Sequence, residues 1–272
     1  MTANLLGTTV EDIVEAVFAD GPADLFVVNP SRETVERFVD VATAYEGDLP
    51  EVRLLADARV LKEVMEDFLV ASNAADLIED GALALSTSDD LSRASLLVSD
   101  ARVVALVDAG EATAGLVTDD ASFVETARAS FEADWDDADP YSLRTPAISR
   151  VQESLDEEIG AEVERDFEGV MASMETARGD GQGLDEVTVS ILVAAKNRVL
   201  LYDISKWGED VGIASKATFS RTKTKLEDTG LIDTEKVPID VGRPRLRLKL
   251  ADERLQGAPA SELASVAQSV LA

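Results

Sequence analysis

The chain has 272 residues, 46% of them hydrophobic, with 54 Asp and Glu against 25 Lys and Arg, no His, no Cys and a formal net charge of -29. That length and apolar content can build one large core or two ordinary ones. Without Cys there is no disulfide framework or thiolate chemistry; without His the commonest general base, the usual catalytic triads and the usual zinc sites are gone.

No apolar run approaches the roughly 18 residues of a membrane span, and the start MTANLLGTTVED has no basic stretch followed by an apolar one. The expectation is a cytoplasmic protein with no membrane partner, no cofactor, no metal site and no enzymatic activity. The acids are spread along the chain, whereas a local acidic interaction surface would gather them in one block. Screening lengths fall to about 3 Å at 1 M salt, which suppresses like-charge repulsion, so the composition points to a halophilic source.

Val10, Ile13, Val14, Val17 and Phe18 recur at helical spacing and predict an amphipathic first helix. ADLFVV (23–28) is short, apolar and β-branched, as a buried strand would be; NPS turns the chain, and Ser31 is placed to N-cap a helix through Phe38, Val41 and Tyr45. VRLLA (52–56) repeats the strand, and residues 60–77 repeat the helix with Val60, Leu61, Val64, Phe68 and Leu69 on one face. ALALS (82–86) is a third strand. SLLVSD (95–100), RVVALVDAG (102–110) and ATAGLVTD (112–119) read as further strands, added antiparallel, before a helix from Ala121 to about Trp135.

Strands alternating with helices predict an α/β effector or sensor domain over residues 1–145, with a mixed, mostly parallel sheet. Ligands of open sheets sit beyond the carboxyl ends of the strands. The candidate effector contacts are therefore Asn29, Ser31, Arg59, Ser86 and Ser88, with Asp57, Ser99 and Arg102 beside them, although each can equally cap a helix or close a turn. Asp134, Asp136, Asp137 and Asp139 lack the central glycine and the twelfth-position Glu of a calcium loop.

Residues 146–183 read as a helical connector and linker. Val151, Leu155, Ile159, Val163, Phe167 and Met171, spaced by four, predict one helix over 147–178 that packs on its own domain or on a second subunit of a homodimer. GDGQG (179–183) has no strand before it and no GK[ST] after it, so it is a flexible linker rather than a phosphate cradle.

The last segment, 184–272, has a different charge. Residues 196–249 hold 12 Lys and Arg against 8 Asp and Glu, while the rest of the chain holds 13 against 46. A uniformly solvated surface would not sort cations this way, so the window calls for a polyanionic partner. Val187, Ile191, Leu192, Ala195, Val199 and Leu200 mark a helix, Ile204, Trp207 and Val211 a second that Gly212 ends, and Ser215 N-caps a third that runs to Asp228 before Gly230. With Phe219 and Leu226 inward, Ala217, Ser220, Arg221, Thr224 and Lys225 share the outer face, whose small, hydroxylic and cationic side chains suit a DNA major groove.

LIDTEKVPI (231–239) and PRLRLKL (244–250) alternate at period two and predict a β-hairpin. Leu246, Leu248 and Leu250 would point one way, and Arg245, Arg247 and Lys249 the other. Three helices and a hairpin make a winged helix-turn-helix, and the tip VGRPR could lay Arg243 and Arg245 along a narrow minor groove. C-terminal Leu263, Val266, Ala267, Val270 and Leu271 form an apolar helical face that joins a dimer or covers the module's core.

The stretch Ser215–Lys249 resembles winged-helix transcription factors: Ser215, Thr218, Phe219, Ser220 and Arg221 match a Ser-x-x-Thr-[Val/Phe]-Ser-Arg start, LEDTGLI the helix end, and Gly242 to Arg245 the Gly-Arg-Pro-Arg wing. With the α/β region before it, the chain is similar to haloarchaeal regulators of the TbsP, or TrmB-suppressor, type, with a TrmB-like, phospholipase-D-like sensor region around 97–141. The resemblance implies a dimeric, sequence-specific regulator of sugar and central carbon metabolism genes that binds promoter or operator DNA through Ser215, Lys216 and the outer-face residues and answers to a sugar or sugar phosphate. The lack of His departs from a phospholipase site. A second reading is a winged-helix subunit of a larger transcription or repair assembly, its basic face meeting an acidic protein.

Overall fold

The computed structural model describes residues 4–5, 9–89, 91, 94–110, 112–174, 176–178, 184–240 and 244–271. The expected linker GDGQG and the wing-tip residues Gly242 and Arg243 lie outside these. By internal packing the chain divides into two compact units, Met1–Glu66 with Asn73–Leu143, and Asp67–Ser72 with Arg144–Ala272.

In the first unit α1 (Val10–Ala19) begins at Thr9, whose side chain and that of Asp12 each accept the other's backbone N–H in a capping box. There follow β1 (Asp24–Val28), α2 (Arg32–Ala44), β2 (Glu51–Ala56), α3 (Ala58–Val64), α4 (Phe68–Glu79), β3 (Leu83–Thr87), β4 (Ser95–Val98), β5 (Val103–Ala109), β6 (Ala112–Thr118), α5 (Ala121–Asp136) and the two-residue β7 (Asp139–Pro140). The seven strands form one mixed sheet in the order β6-β5-β4-β1-β2-β3-β7. β1, β2 and β3 are parallel, and β4, β5, β6 and β7 join antiparallel, which places the antiparallel additions where the 95–119 pattern predicts them.

β1 and the second half of β2 are buried on both faces, which is why they read as unbroken apolar runs. Leu25 to Val28 and Leu54 to Ala56 are all buried. On one face Phe26, Val28, Val98 and Val103 pack with Val124 and Phe131 of α5; α1 and α2 bury their own apolar stripes, with Phe18 and Phe38 edge to face at 5.7 Å. At the β6 edge Leu5 exchanges two backbone hydrogen bonds with Gly115, of 2.9 and 2.7 Å, and Asn4 Oδ1 accepts from Val117 N at 3.2 Å.

The single helix expected over 60–77 is two. The first ends at Val64, with Met65 closing it, and Asp67, nearly inaccessible, stands at the start of the second: its carboxylate accepts from Leu69 N at 3.0 Å, Ala177 N at 3.2 Å, Arg178 Nε at 3.1 Å and the Thr176 hydroxyl. Four donors make burial of that charge tolerable, and they tie residues 67–72 into the second unit.

That unit comprises α6 (Ile148–Glu158), α7 (Ala161–Met171), α8 (Glu186–Lys196), α9 (Leu201–Val211), α10 (Lys216–Asp228), β8 (Ile232–Val237), β9 (Arg245–Leu250), α11 (Glu253–Gln256) and α12 (Ala260–Leu271). The one long helix expected over 147–178 is broken at Gly160, whose φ of 136° suits glycine alone, and α6 and α7 pack on each other. Val151, Leu155, Val163, Phe167 and Met171 enter the same core as Leu192, Trp207, Phe219, Leu248 and Leu263. The stretch expected as a connector is thus part of this unit's core, and the face that could have met a second subunit is spent inside it. α12 packs on α7 and α8 through Leu263, Ala264 and Ala267, covering the core.

Candidate nucleic-acid interface

α8 is apolar on nearly every side, with Val187 to Ala195 buried, and so forms the axis on which α9, α10 and the hairpin are hung. α9 is held by Trp207, buried and donating from Nε1 to Ser154 Oγ at 2.9 Å. It ends at Gly212, in the left-handed conformation at φ 97°, with Ile213 N returning to Gly208 O at 2.8 Å. Gly208 sits where a Cβ would run into the Phe219 ring, so α9 and α10 approach more closely than any side chain there would allow.

Ser215 N-caps α10, its Oγ accepting from Thr218 N at 3.3 Å. Phe219 and Leu226 turn inward, fully buried. Ser215, Lys216, Ala217, Ser220, Arg221, Thr224 and Lys225 are all exposed, so the predicted outer face is solvent-facing. The hairpin pairs Ile232 with Leu250 through Val237 with Arg245. It is fixed to the α8–α9 junction, where Leu248 N donates to Val199 O at 3.0 Å and Leu200 bridges Arg247. Helix-turn-helix and hairpin are therefore joined through the backbone at this junction.

The cations of these elements divide sharply. Lys216 bonds Glu209 at 2.5 Å, Lys249 bonds Asp233 at 2.8 Å, Arg198 and Arg247 share Glu235 at 2.8 and 3.3 Å, and Lys206 bonds Asp210 at 2.5 Å. Hydrogen bonding from these cations holds the Glu209, Asp233, Glu235 and Asp210 carboxyls below their usual range. Arg245, expected to run out along the wing, instead lies over the Tyr202 ring at 4.2 Å and pairs with Asp203 at 3.3 Å. Among the described residues of the window, Arg221, Lys225 and Lys236 have no carboxylate partner; Arg221 touches only Thr218 Oγ1, at 3.3 Å. Two of those three stand on the outer face of α10. Sequence spacing could have shown only the i,i+4 pairs Lys206–Asp210 and Lys223–Glu227, because the other partners come from another element.

In the first unit, Asn29 (φ 46°), Ser31, Arg59, Ser86 and Ser88 gather at the carboxyl edge of β1, β2 and β3, where Asn29 N donates to Leu55 O and Ser88 N to Ala56 O. Ser31 caps α2, Arg59 is exposed in the first turn of α3, and Ser86 is buried in β3. Ser99 and Arg102 fall at the opposite edge, because β4 runs antiparallel to β1; Ser99 closes a local turn with Arg102, which pairs with Asp20. That opposite edge carries an open cleft of about 490 Å³ that sequence reasoning missed, lined by Asp100, Asp119, Glu125, Arg128 and Glu132. Arg128 grips Asp24 through two hydrogen bonds of 2.6 and 2.7 Å, which lower the Asp24 pKa and raise its own. The available signal was Arg128's isolation as the sole Lys or Arg between residues 103 and 143.

Among the described residues no acidic cluster could hold a metal ion, and no helix is long and apolar enough to cross a membrane.

No curated protein matches the chain. It resembles the solved structure of TrmBL2, an archaeal chromatin protein with a novel mode of DNA binding, at 14% identity and a TM-score of 0.35, over 51% of this chain and about half (53%) of that one; at that score the likeness carries no argument. Two family models cover nearly all of the sequence: the N-terminal domain of TbsP-like transcriptional regulators over residues 2–146, and their C-terminal helix-turn-helix domain over 147–268. Neither describes an enzyme. The chain belongs to the family of TbsP-like transcriptional regulators, through both its N-terminal domain and its C-terminal helix-turn-helix domain.

Proposed function

We propose that this regulator is sequence-specific, binding promoter or operator DNA as a homodimer, with the outer face of α10 in the major groove of each half-site. The observation that carries the reading is the placement of Arg221 and Lys225, exposed and unpaired, among Ala217, Ser220 and Thr224. Arg221 is suited to a guanine edge, and Ser215, Lys216 and Lys225 to phosphates. The hairpin tip, with Arg243 and Arg245, would lie along the adjacent minor groove once Arg245 exchanges Asp203 for the duplex.

The regulated genes are those of sugar and central carbon metabolism, and the effector is a sugar or sugar phosphate held by Asn29, Ser31, Arg59, Ser86 and Ser88. Their assembly at the carboxyl edge of three parallel strands supports this assignment. An acidic surface fits a halophilic, archaeal cytoplasm.

Selection of bound fragments from genomic DNA, with and without sugars and sugar phosphates, tests the reading. A discrete motif with half-sites about 10 bp apart is expected. Arg221→Ala should weaken the selected duplex by about tenfold or more and relax the motif at one position. Undiminished affinity of that variant for the same duplex would remove α10 as the reading element.

A further inference from the structure

We propose that Asp203, Glu209, Asp233 and Glu235 act as exchangeable counterions of the DNA-binding surface, so that duplex binding responds only weakly to salt. The proposal rests on the DNA-binding reading above and concerns how ionic strength regulates that same surface.

A free cation that neutralises a phosphate releases about 0.9 of a counterion from the duplex, and log K falls with log salt by that slope for each such contact. A cation already held by a carboxylate behaves differently. When it moves to a phosphate, one cation leaves the DNA, and the abandoned carboxylate gathers another from solution. The two exchanges cancel, and the contact adds almost nothing to the salt dependence.

The structure supplies the required arrangement. Lys216–Glu209, Lys249–Asp233, Arg245–Asp203 and the pair Arg198 and Arg247 on Glu235 are all open to water, each side chain at least 36% exposed. Each partner can therefore be replaced by a solution ion or a phosphate. Lys196–Asp166 and Lys223–Glu227, by contrast, are half-buried structural pairs. That leaves Arg221, Lys225 and Lys236 as the described cations able to release counterions outright. Three such contacts give a slope of about -3 per bound domain, whereas adding the five cations held by these four carboxylates as free ones would give about -7.

The test is a KCl titration of the full chain by fluorescence anisotropy, on the tightest duplex recovered by in vitro selection. A wild-type slope of about -3 per domain is expected. Glu209→Gln should steepen it by about 1 and Glu235→Gln by about 2, since the latter frees two cations; adding Lys216→Ala to Glu209→Gln should return it to the wild-type value. Circular dichroism confirms that each variant is folded. A wild-type slope near -7, or carboxamide variants with unchanged slopes, overturns the proposal and leaves DNA recognition standing. Recovery of no duplex overturns the DNA reading and this proposal with it.

Discussion

Gly208 and Phe219 set the distance between the two helices of the helix-turn-helix, α9 and α10. A methyl group at position 208 would overlap the Phe219 ring, and Phe219 is fully buried in the unit's core, so the ring has nowhere to withdraw. Alanine is the better helix former by about 1 kcal/mol, yet overpacking of this kind costs about 1–3 kcal/mol. Gly208→Ala is therefore expected to lower the unfolding temperature of the second unit by a few degrees, and the double variant with Phe219→Leu to recover part of the loss through a non-additive coupling. Scanning calorimetry of the two variants checks this; a Gly208→Ala protein as stable as wild type would show that the helices can part without cost. The residues of α10 differ in kind. Ser220, Arg221 and Thr224 bury nothing, so their substitution should alter binding and leave melting within about 0.5 kcal/mol.

α8 shows how an element's environment can reverse the ordinary behaviour of a residue. Asp185 caps it conventionally, accepting from Thr188 N at 2.7 Å, but Glu186 beside it is sunk towards the Asp67 and Asp185 carboxylates. Burial chiefly, then those like charges, push its pKa up to about 7. The folded unit therefore holds a proton that the unfolded chain gives up near pH 4.5, and stability from this group is complete below that pH and lost as pH rises through about 7. Urea unfolding at pH 5 and pH 8 should show a loss of about 2 kcal/mol from this source, absent in Glu186→Gln, which should be the more stable protein at pH 8. Equal pH profiles for the two proteins would refute the assignment. Elements of this kind were legible where periodicity spoke: the apolar runs of β1 to β3, the stripe of α1 and the three helices and hairpin all follow from spacing and caps. The breaks were not. Residues 60–77 and 147–178 keep helical periodicity across Asp67 and Gly160, and what divides them is, in one case, donors more than a hundred residues away and, in the other, a backbone angle that composition does not announce.

The whole chain carries -29 charges, and its basic window is far less basic in space than in sequence, since each of Lys206, Lys216, Lys249 and Arg247 lies against an acid. Stability should accordingly rise with salt. Between 0.1 and 1 M the screening length falls from about 10 to about 3 Å, so the melting temperature should climb across that range in KCl; a flat or falling curve would show that the carboxylates do not strain the fold. The candidate DNA face was readable from helical geometry and motif together, whereas the state of its cations needed three dimensions, because Glu209 meets Lys216 and Asp203 meets Arg245 only after the helices and hairpin assemble. The first unit's small N-terminal clip has a practical side. Leu5 and Asn4 occupy part of the outer rim of β6, and an open strand rim invites another chain to zip onto it. Any affinity tag or fusion joined upstream has to leave those two residues free to dock, and a deletion that removes them uncovers the part of the margin they occupy.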